Sequence, residues 1–340
     1  MIADPSTARP IPPAWKAGLG VVVAALLVVG VGLLIARAAG FDEVRDAIAE
    51  ADSTWFVVCF LAQVAALAGY AAVVREAFRS SEGPDPGFGL SAHVMLASVG
   101  ATRVFAVGGA GALAATYWCF CRASFSQREA IVRVLGFNTL FYVVFGVGAW
   151  IAAVLTKLGV WGDAPVALTV PWLLAIPFCF AAAACVTQPG RAARLTAPGR
   201  SLVHRGISYA IAGAAWVRQV LPNPTGRRSV AWSLLYWIGN VACLWAALSS
   251  VGESVALPAL ALAFATGHVA AILPLPLGGV GGVDAAMTYA LTVVGVSLAP
   301  ALLAVAVYRL FAFWAPTIPA LVALALLPRA GRALEPATRA

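Results

Sequence analysis

The sequence predicts an all-α polytopic membrane protein, with about six spanning helices and two re-entrant hairpins arranged as an inverted repeat. Three observations carry that reading. Of 340 residues, 62% are hydrophobic and 11% are charged, whereas a soluble domain has about 25% charged residues and could not hide so much apolar surface. Several windows of about 20 residues hold no charge, the length a helix needs to cross a hydrocarbon core roughly 30 Å thick. Two further apolar stretches are broken near their middle by glycine clusters. The whole chain, 1–340, is read as one membrane domain.

The expected spans are 17–36, 54–74, 130–156, 166–187, 229–250 and 300–327. The first follows Arg9 and Lys16 and ends near Ala36-Arg37-Ala38, as a signal peptide would. Its apolar run exceeds the roughly 7–15 residues of a signal core, so it is read as a retained anchor. Cys59, Cys119, Cys121, Cys179, Cys185 and Cys243 all fall in apolar runs without zinc-type spacing. They are read as small packing residues, not as disulfides or metal ligands, and no cofactor is expected.

The broken stretches, 92–122 and 256–296, contain Gly108-Gly109-Ala110-Gly111 and Gly278-Gly279-Val280-Gly281-Gly282. Each half is only about 12–17 residues, short for a span at 1.5 Å rise per residue. A hairpin that dips in and returns on the same side is the expected shape. Non-helical backbone survives in a membrane only where protein buries it or water reaches it, so such hairpins mark a cavity.

Charge placement orients the chain. The linker 188–228 holds Arg191, Arg194, Arg200, Arg205, Arg218, Arg227 and Arg228 and no acid, and is expected on the cytoplasmic side. The segment with Asp42, Glu43, Asp46, Glu50 and Asp52 fits the outer face of a plasma membrane, which leaves both termini cytoplasmic. The two hairpins then enter from opposite sides, and units 54–156 and 229–327 become an inverted repeat. A shift of 170 residues supports it, laying Gly108, Gly109, Gly111 and Ala115 on Gly278, Gly279, Gly281 and Ala285, and Leu140-Phe141 on Leu310-Phe311. The net charge of +8 suits anionic lipid headgroups better than nucleic acid, which is not expected as a partner.

Ionisable groups within apolar stretches cost about 2.5–3.5 kcal/mol at mid-helix and are functional candidates. Arg103 precedes the first glycine cluster, Asp284 follows the second, and Arg309 lies too deep in the last span to snorkel. Asp284 also suits the first turn of a helix as a cap. Glu129 and Arg133, at i and i+4, read as an ordinary surface pair, and Gln63, His93, Asn138, Asn240 and His268 as interhelical hydrogen bonders. For the glycines two readings stand side by side: helix N-termini offering N–H groups to an anion, or close packing of small residues. No metal constellation, hydrolase motif, Walker loop or dinucleotide fingerprint is present, and a second aspartate for an intramembrane protease dyad is lacking. No catalytic residue is assigned.

The carboxyl-terminal third resembles the lysylphosphatidylglycerol synthase transmembrane, or flippase-like, family. The resemblance rests on Pro274-Leu275-Pro276-Leu277-Gly278-Gly279-Val280-Gly281, then Asp284, Gly295, Tyr308-Arg309, Phe313-Trp314 and Pro316, and extends over roughly 90–330. Leu277 stands where the family has proline, Asp284 where it has glutamate, and the first cluster lacks a neighbouring acid. No soluble aminoacyl-transfer domain is expected after Ala340. The resemblance implies translocation of an anionic phospholipid or lipid-linked intermediate, without enzymatic activity, and carries over Gly278, Gly279, Gly281, Asp284, Tyr308 and Arg309 as binding residues. Pseudo-symmetry adds Arg103, Gly108, Gly109 and Gly111. Two alternatives belong to other classes: a membrane glycosyltransferase using a polyprenyl-phosphate donor, with the acids 42–52 supplying its carboxylate, and a non-catalytic partner of a separate lipid-modifying enzyme.

Overall fold

A computed structural model describes residues 52–79, 85–104, 109–160, 162–195, 202–270 and 281–335. The expected span 17–36, the acids 42–50, and Gly108, Gly278 and Gly279 lie outside them. The described residues are helical throughout, joined by turns, with no strand.

In chain order the helices are α1 (Thr54–Arg79), α2 (Gly87–Val104), α3 (Ala110–Arg122), α4 (Gln127–Lys157) and α5 (Val166–Val186). A short α6 (Pro189–Leu195) and α7 (Leu202–Val220) lead to α8 (Pro224–Ser250), α9 (Leu257–Val269) and α10 (Gly282–Val293). The chain ends with α11 (Leu298–Arg309), a π-helical segment Leu310–Trp314, α12 (Ala315–Ala325) and α13 (Leu327–Leu334). Five rods, 54–79, 127–157, 166–186, 224–250 and 298–325, are long and apolar enough to cross a membrane. They coincide with five of the six expected spans. The helix starts follow local chemistry: the Ser126 hydroxyl caps α4 by accepting the Glu129 N–H, and Pro224 opens α8, where its missing N–H costs nothing.

The most extensive interface joins α1 to α8. They run antiparallel, since Cys59 faces Cys243 near one end, Gly239 abuts Ala62 and Ala66, Gly69 abuts Trp232 and Tyr236, and Glu76 reaches Arg228 at the other end. Glycine and alanine let the backbones approach: a Cβ on Gly69 would stand 2.7 Å from the Trp232 carbonyl. Around this axis α2 packs on α12, and α9 packs on α4. Each short helix also packs on the short helix that follows it, α2 on α3 and α9 on α10.

Three readings of the sequence need correction. The pair Glu129–Arg133 is only half a surface pair, because Glu129 is exposed but Arg133 is not. Arg133 is 1% exposed; it donates to Glu129 at 2.7 Å and to the Ala77 carbonyl at 3.1 Å, and its guanidinium lies over the Phe125 ring. The arginine thus ties α4 to the end of α1. The linker 188–228 is not merely a connector, because α6 and α7 occupy most of it and α7 packs along α4 with Trp216 over Gly136. Its run 206–217 has no charge and so has an apolar side to bury.

Among the five expected interhelical hydrogen bonders, Asn240 accepts from Tyr308 of α11, whereas Asn138 donates within α4 to Val134. Gln63 Oε1 and His93 Nε2 are buried with no hydrogen-bond partner among the described residues, and His268 sits among aromatic rings instead. Gly109 caps α3 and Gly281 caps α10, both with positive φ, 80° and 83°. Glycine is required there because other residues meet steric strain at positive φ.

Candidate functional site

A cavity of about 770 Å³ lies between α1, α2, α3, α4, α5, α8 and the α11–α12 rod. Both broken stretches reach it. Thr102, Arg103, Gly109, Ala112 and Leu113 come from the first, and His268 and Val283 from the second. Tyr308, Arg309, Ala312 and Phe313 close it from the last rod.

The last rod is locally unwound at this level. Pro316 lacks the N–H that would bond the Ala312 carbonyl, and the Ala315 N–H reaches back five residues to Leu310. The resulting π turn carries Phe313 toward Arg103 and Arg309. The Arg103 guanidinium carbon is 3.5 Å from the Phe313 ring centroid and that of Arg309 is 4.3 Å, so one ring serves two cations.

Asp284 sits in the first turn of α10. Its Oδ2 accepts the Gly281 N–H at 2.9 Å, and its Oδ1 lies 2.6 Å from Arg309 Nε. The Nε–H is not aligned with Oδ1, which makes no hydrogen bond, so the contact is an ion pair held by charge and proximity. The two side chains are 13% and 14% exposed. Arg309 Nη2 and Arg103 Nε are buried and have no hydrogen-bond partner among the described residues. Arg103 has no carboxylate partner among the described residues. Among the described residues, Asp284 pairs with Arg309, and Arg103 adds a second guanidinium at the cavity wall with no carboxylate of its own.

The two N-terminal turns differ. Asp284 already occupies that of α10, but α3 has no acid in its first turn and its start, from Gly109 to Leu113, lies on the cavity. A Cβ at Gly109 would meet nothing within 4 Å. Free backbone N–H groups there add to the anion-attracting field of the arginines.

Tyr308 is buried, and its hydroxyl donates to Asn240 Oδ1 at 3.1 Å, bracing α11 against α8. Gly111 is buried inside α3 and does not line the cavity, and Gly281 acts as a cap. Gly109, Arg103 and Arg309 are brought together with Tyr308 on one cavity; Asp284 joins them through Arg309. Sequence reading missed the role of Phe313 and of the aromatic wall formed by Tyr70, Phe141, Tyr236 and Trp237, whose neighbouring rings lie 4.7–5.6 Å apart. The signals for Phe313 are its i+4 spacing from Arg309 and its place in the Phe313-Trp314 pair of the family resemblance.

Residues 19–320 match the family model described as lysylphosphatidylglycerol synthase TM region. The chain belongs to the lysylphosphatidylglycerol synthase transmembrane family. No curated protein matches it. Membership ties this membrane protein to lipid biosynthesis or transport. Within the family's frame, this chain presents an aspartate at 284 and, at 277, a leucine outside the described residues.

Proposed function

We propose that the protein translocates an anionic phospholipid or lipid-linked intermediate, binding its phosphate between Arg103, Arg309 and the N-terminal turn of α3. The observation that carries this reading is the pair of buried guanidinium nitrogens on one cavity that have no hydrogen-bond partner among the described residues, supplied by two different parts of an apolar helical bundle. Such nitrogens are donor-only groups whose desolvation calls for an anion. A phosphate diester, with its two free oxygens, matches two guanidinium forks.

The proposed architecture is an inverted repeat of 54–157 and 224–325. What supports it is that the matching helices α1 and α8 run antiparallel, and that the partners exchange reciprocally: α2 on the last rod of the second unit, α9 on the last rod of the first. Antiparallel halves around one site allow the site to be opened alternately to either face. The proposed orientation keeps the helices α6 and α7, and both termini, cytoplasmic.

The test is transfer of a fluorescent anionic phospholipid between leaflets of proteoliposomes. Arg309→Ala and Arg103→Ala are expected to lose at least tenfold of the rate. Full transfer by the Arg309→Ala protein would reject the site.

A further inference from the structure

The cavity, about 770 Å³, lies in the range of roughly 300–1,000 Å³ that holds a drug-sized ligand. It is open along α5, whose lining residues Cys179, Phe180 and Ala183 are exposed, so a substrate bound at the arginines has a side through which its tails can leave.

The packing of α5 provides the opening. Near its start α5 is seated on the bundle, with Leu168 and Thr169 buried and Trp172 Nε1 donating to Thr266 Oγ1 at 3.1 Å. Ile176 presses on Gly146 of α4, where a Cβ would lie 3.0 Å from its Cδ1. Beyond this contact α5 is exposed: Phe178 is 75% exposed, and Cys179, Phe180 and Ala183 face the cavity while remaining open outward. Across from them Tyr142 of α4 is 43% exposed, against 41% for Phe180. Along α4 the lining runs from Leu135 to Gly146, about 16 Å of helix axis.

We propose that this slot between α4 and the distal half of α5 is a lateral portal, and that its occupant is the acyl chains of the lipid whose phosphate lies at Arg103 and Arg309. The inference rests on the function proposed above. Its physical case is independent in one respect: the wall turns from charged at Arg309 to aromatic and aliphatic at Phe180 and Ala183, which is the polarity profile of an amphiphile bound head-inward. The slot opens where the rods present apolar side chains outward, so it faces the hydrocarbon and not water.

Cys179→Trp and Ala183→Trp fill the slot from a helix face that has room outward, and leave the arginines untouched. In nanodiscs of phosphatidylcholine, binding of diacyl phosphatidylglycerol is compared with binding of its deacylated headgroup, glycerophosphoglycerol. Both Trp proteins are expected to bind the deacylated probe within twofold of the parent and to lose at least tenfold for the diacyl lipid. Equal diacyl binding by the Trp proteins overturns the portal while leaving the anion site standing. Failure of the parent to bind either probe overturns the anion site, and the portal with it. A second readout needs no bulky residue: in a Cys121→Ser/Cys185→Ser background, added phosphatidylglycerol is expected to slow maleimide labelling of Cys179 at least fivefold, and unchanged labelling counts against the portal.

Discussion

Arg309 Nε stands 2.6 Å from Asp284 Oδ1, and the same carboxylate caps α10 through the Gly281 N–H. One side chain thus anchors both the start of the second short helix and the deepest arginine of the last rod. Among the described residues Arg103 has no carboxylate of its own, so the cavity wall carries two guanidiniums against this one carboxylate.

Removing Asp284 alone is expected to hurt more than removing both partners. Asp284→Ala leaves Arg309 desolvated and unpaired, at a cost of about 3 kcal/mol, whereas Asp284→Ala with Arg309→Ala removes the uncompensated charge. Thermal melting in detergent should rank the parent first, the double variant second and Asp284→Ala last. Arg309→Lys is expected to fold but to lose anionic-lipid binding, because an ammonium cannot make a planar two-point contact. A double variant less stable than Asp284→Ala would refute the pairing.

The two glycine caps are expected to respond differently to asparagine. At Gly109, φ 80° and ψ −10° lie near the left-handed region and the space is open, so Gly109→Asn should cost less than Gly109→Ala, itself about 1 kcal/mol. At Gly281, φ 83° with ψ −53° falls outside that region, and asparagine should give no relief over alanine. Melting temperatures of the four variants check this; rescue at both positions would contradict the backbone geometry.

Glu129→Gln is expected to cost more than the roughly 0.3–0.5 kcal/mol of an exposed i,i+4 pair, because it neutralises the carboxylate facing a guanidinium that is 1% exposed. A loss of about 2 kcal/mol or more is anticipated. Denaturation of the purified protein measures it, and a loss below about 0.5 kcal/mol would return the pair to ordinary surface status.

Asp85, in the turn before α2, accepts hydrogen bonds from Arg75 and from the Gly87 N–H, which hold its carboxyl down at about 2. Since this lies below the unfolded value of about 3.9, its stabilisation is full above about pH 4 and is lost as pH falls through 2. Both side chains are a third or more exposed, so less than about 1 kcal/mol is involved. Parent and Asp85→Asn proteins should differ in melting temperature at pH 6 and converge toward pH 2. A constant difference across that range would exclude the linkage.

Hydropathy along the chain was enough to locate 54–79, 127–157, 166–186, 224–250 and 298–325, because a spanning helix must be apolar over a length set by the bilayer. Glycine clusters likewise marked where α2 gives way to α3 and α9 to α10, since few other residues take positive φ. The desolvation cost of an isolated charge singled out Arg103, Asp284 and Arg309 before any partner was known. Which partner each found was a matter of tertiary structure. Arg133 looked like half of a surface pair, yet the rotation of α4 buries it against the Ala77 carbonyl of α1. Glu76 drew no notice in an ordinary charged helix end, yet it is 4% exposed and meets Arg79 and, through the antiparallel seating of α8, Arg228. Phe313 became the shared face of Arg103 and Arg309 only because Pro316 loosens the turn that carries it. Position along a helix axis follows from local composition, whereas the azimuth of a side chain and its neighbours on other helices depend on how remote segments pack, and no local pattern encodes them.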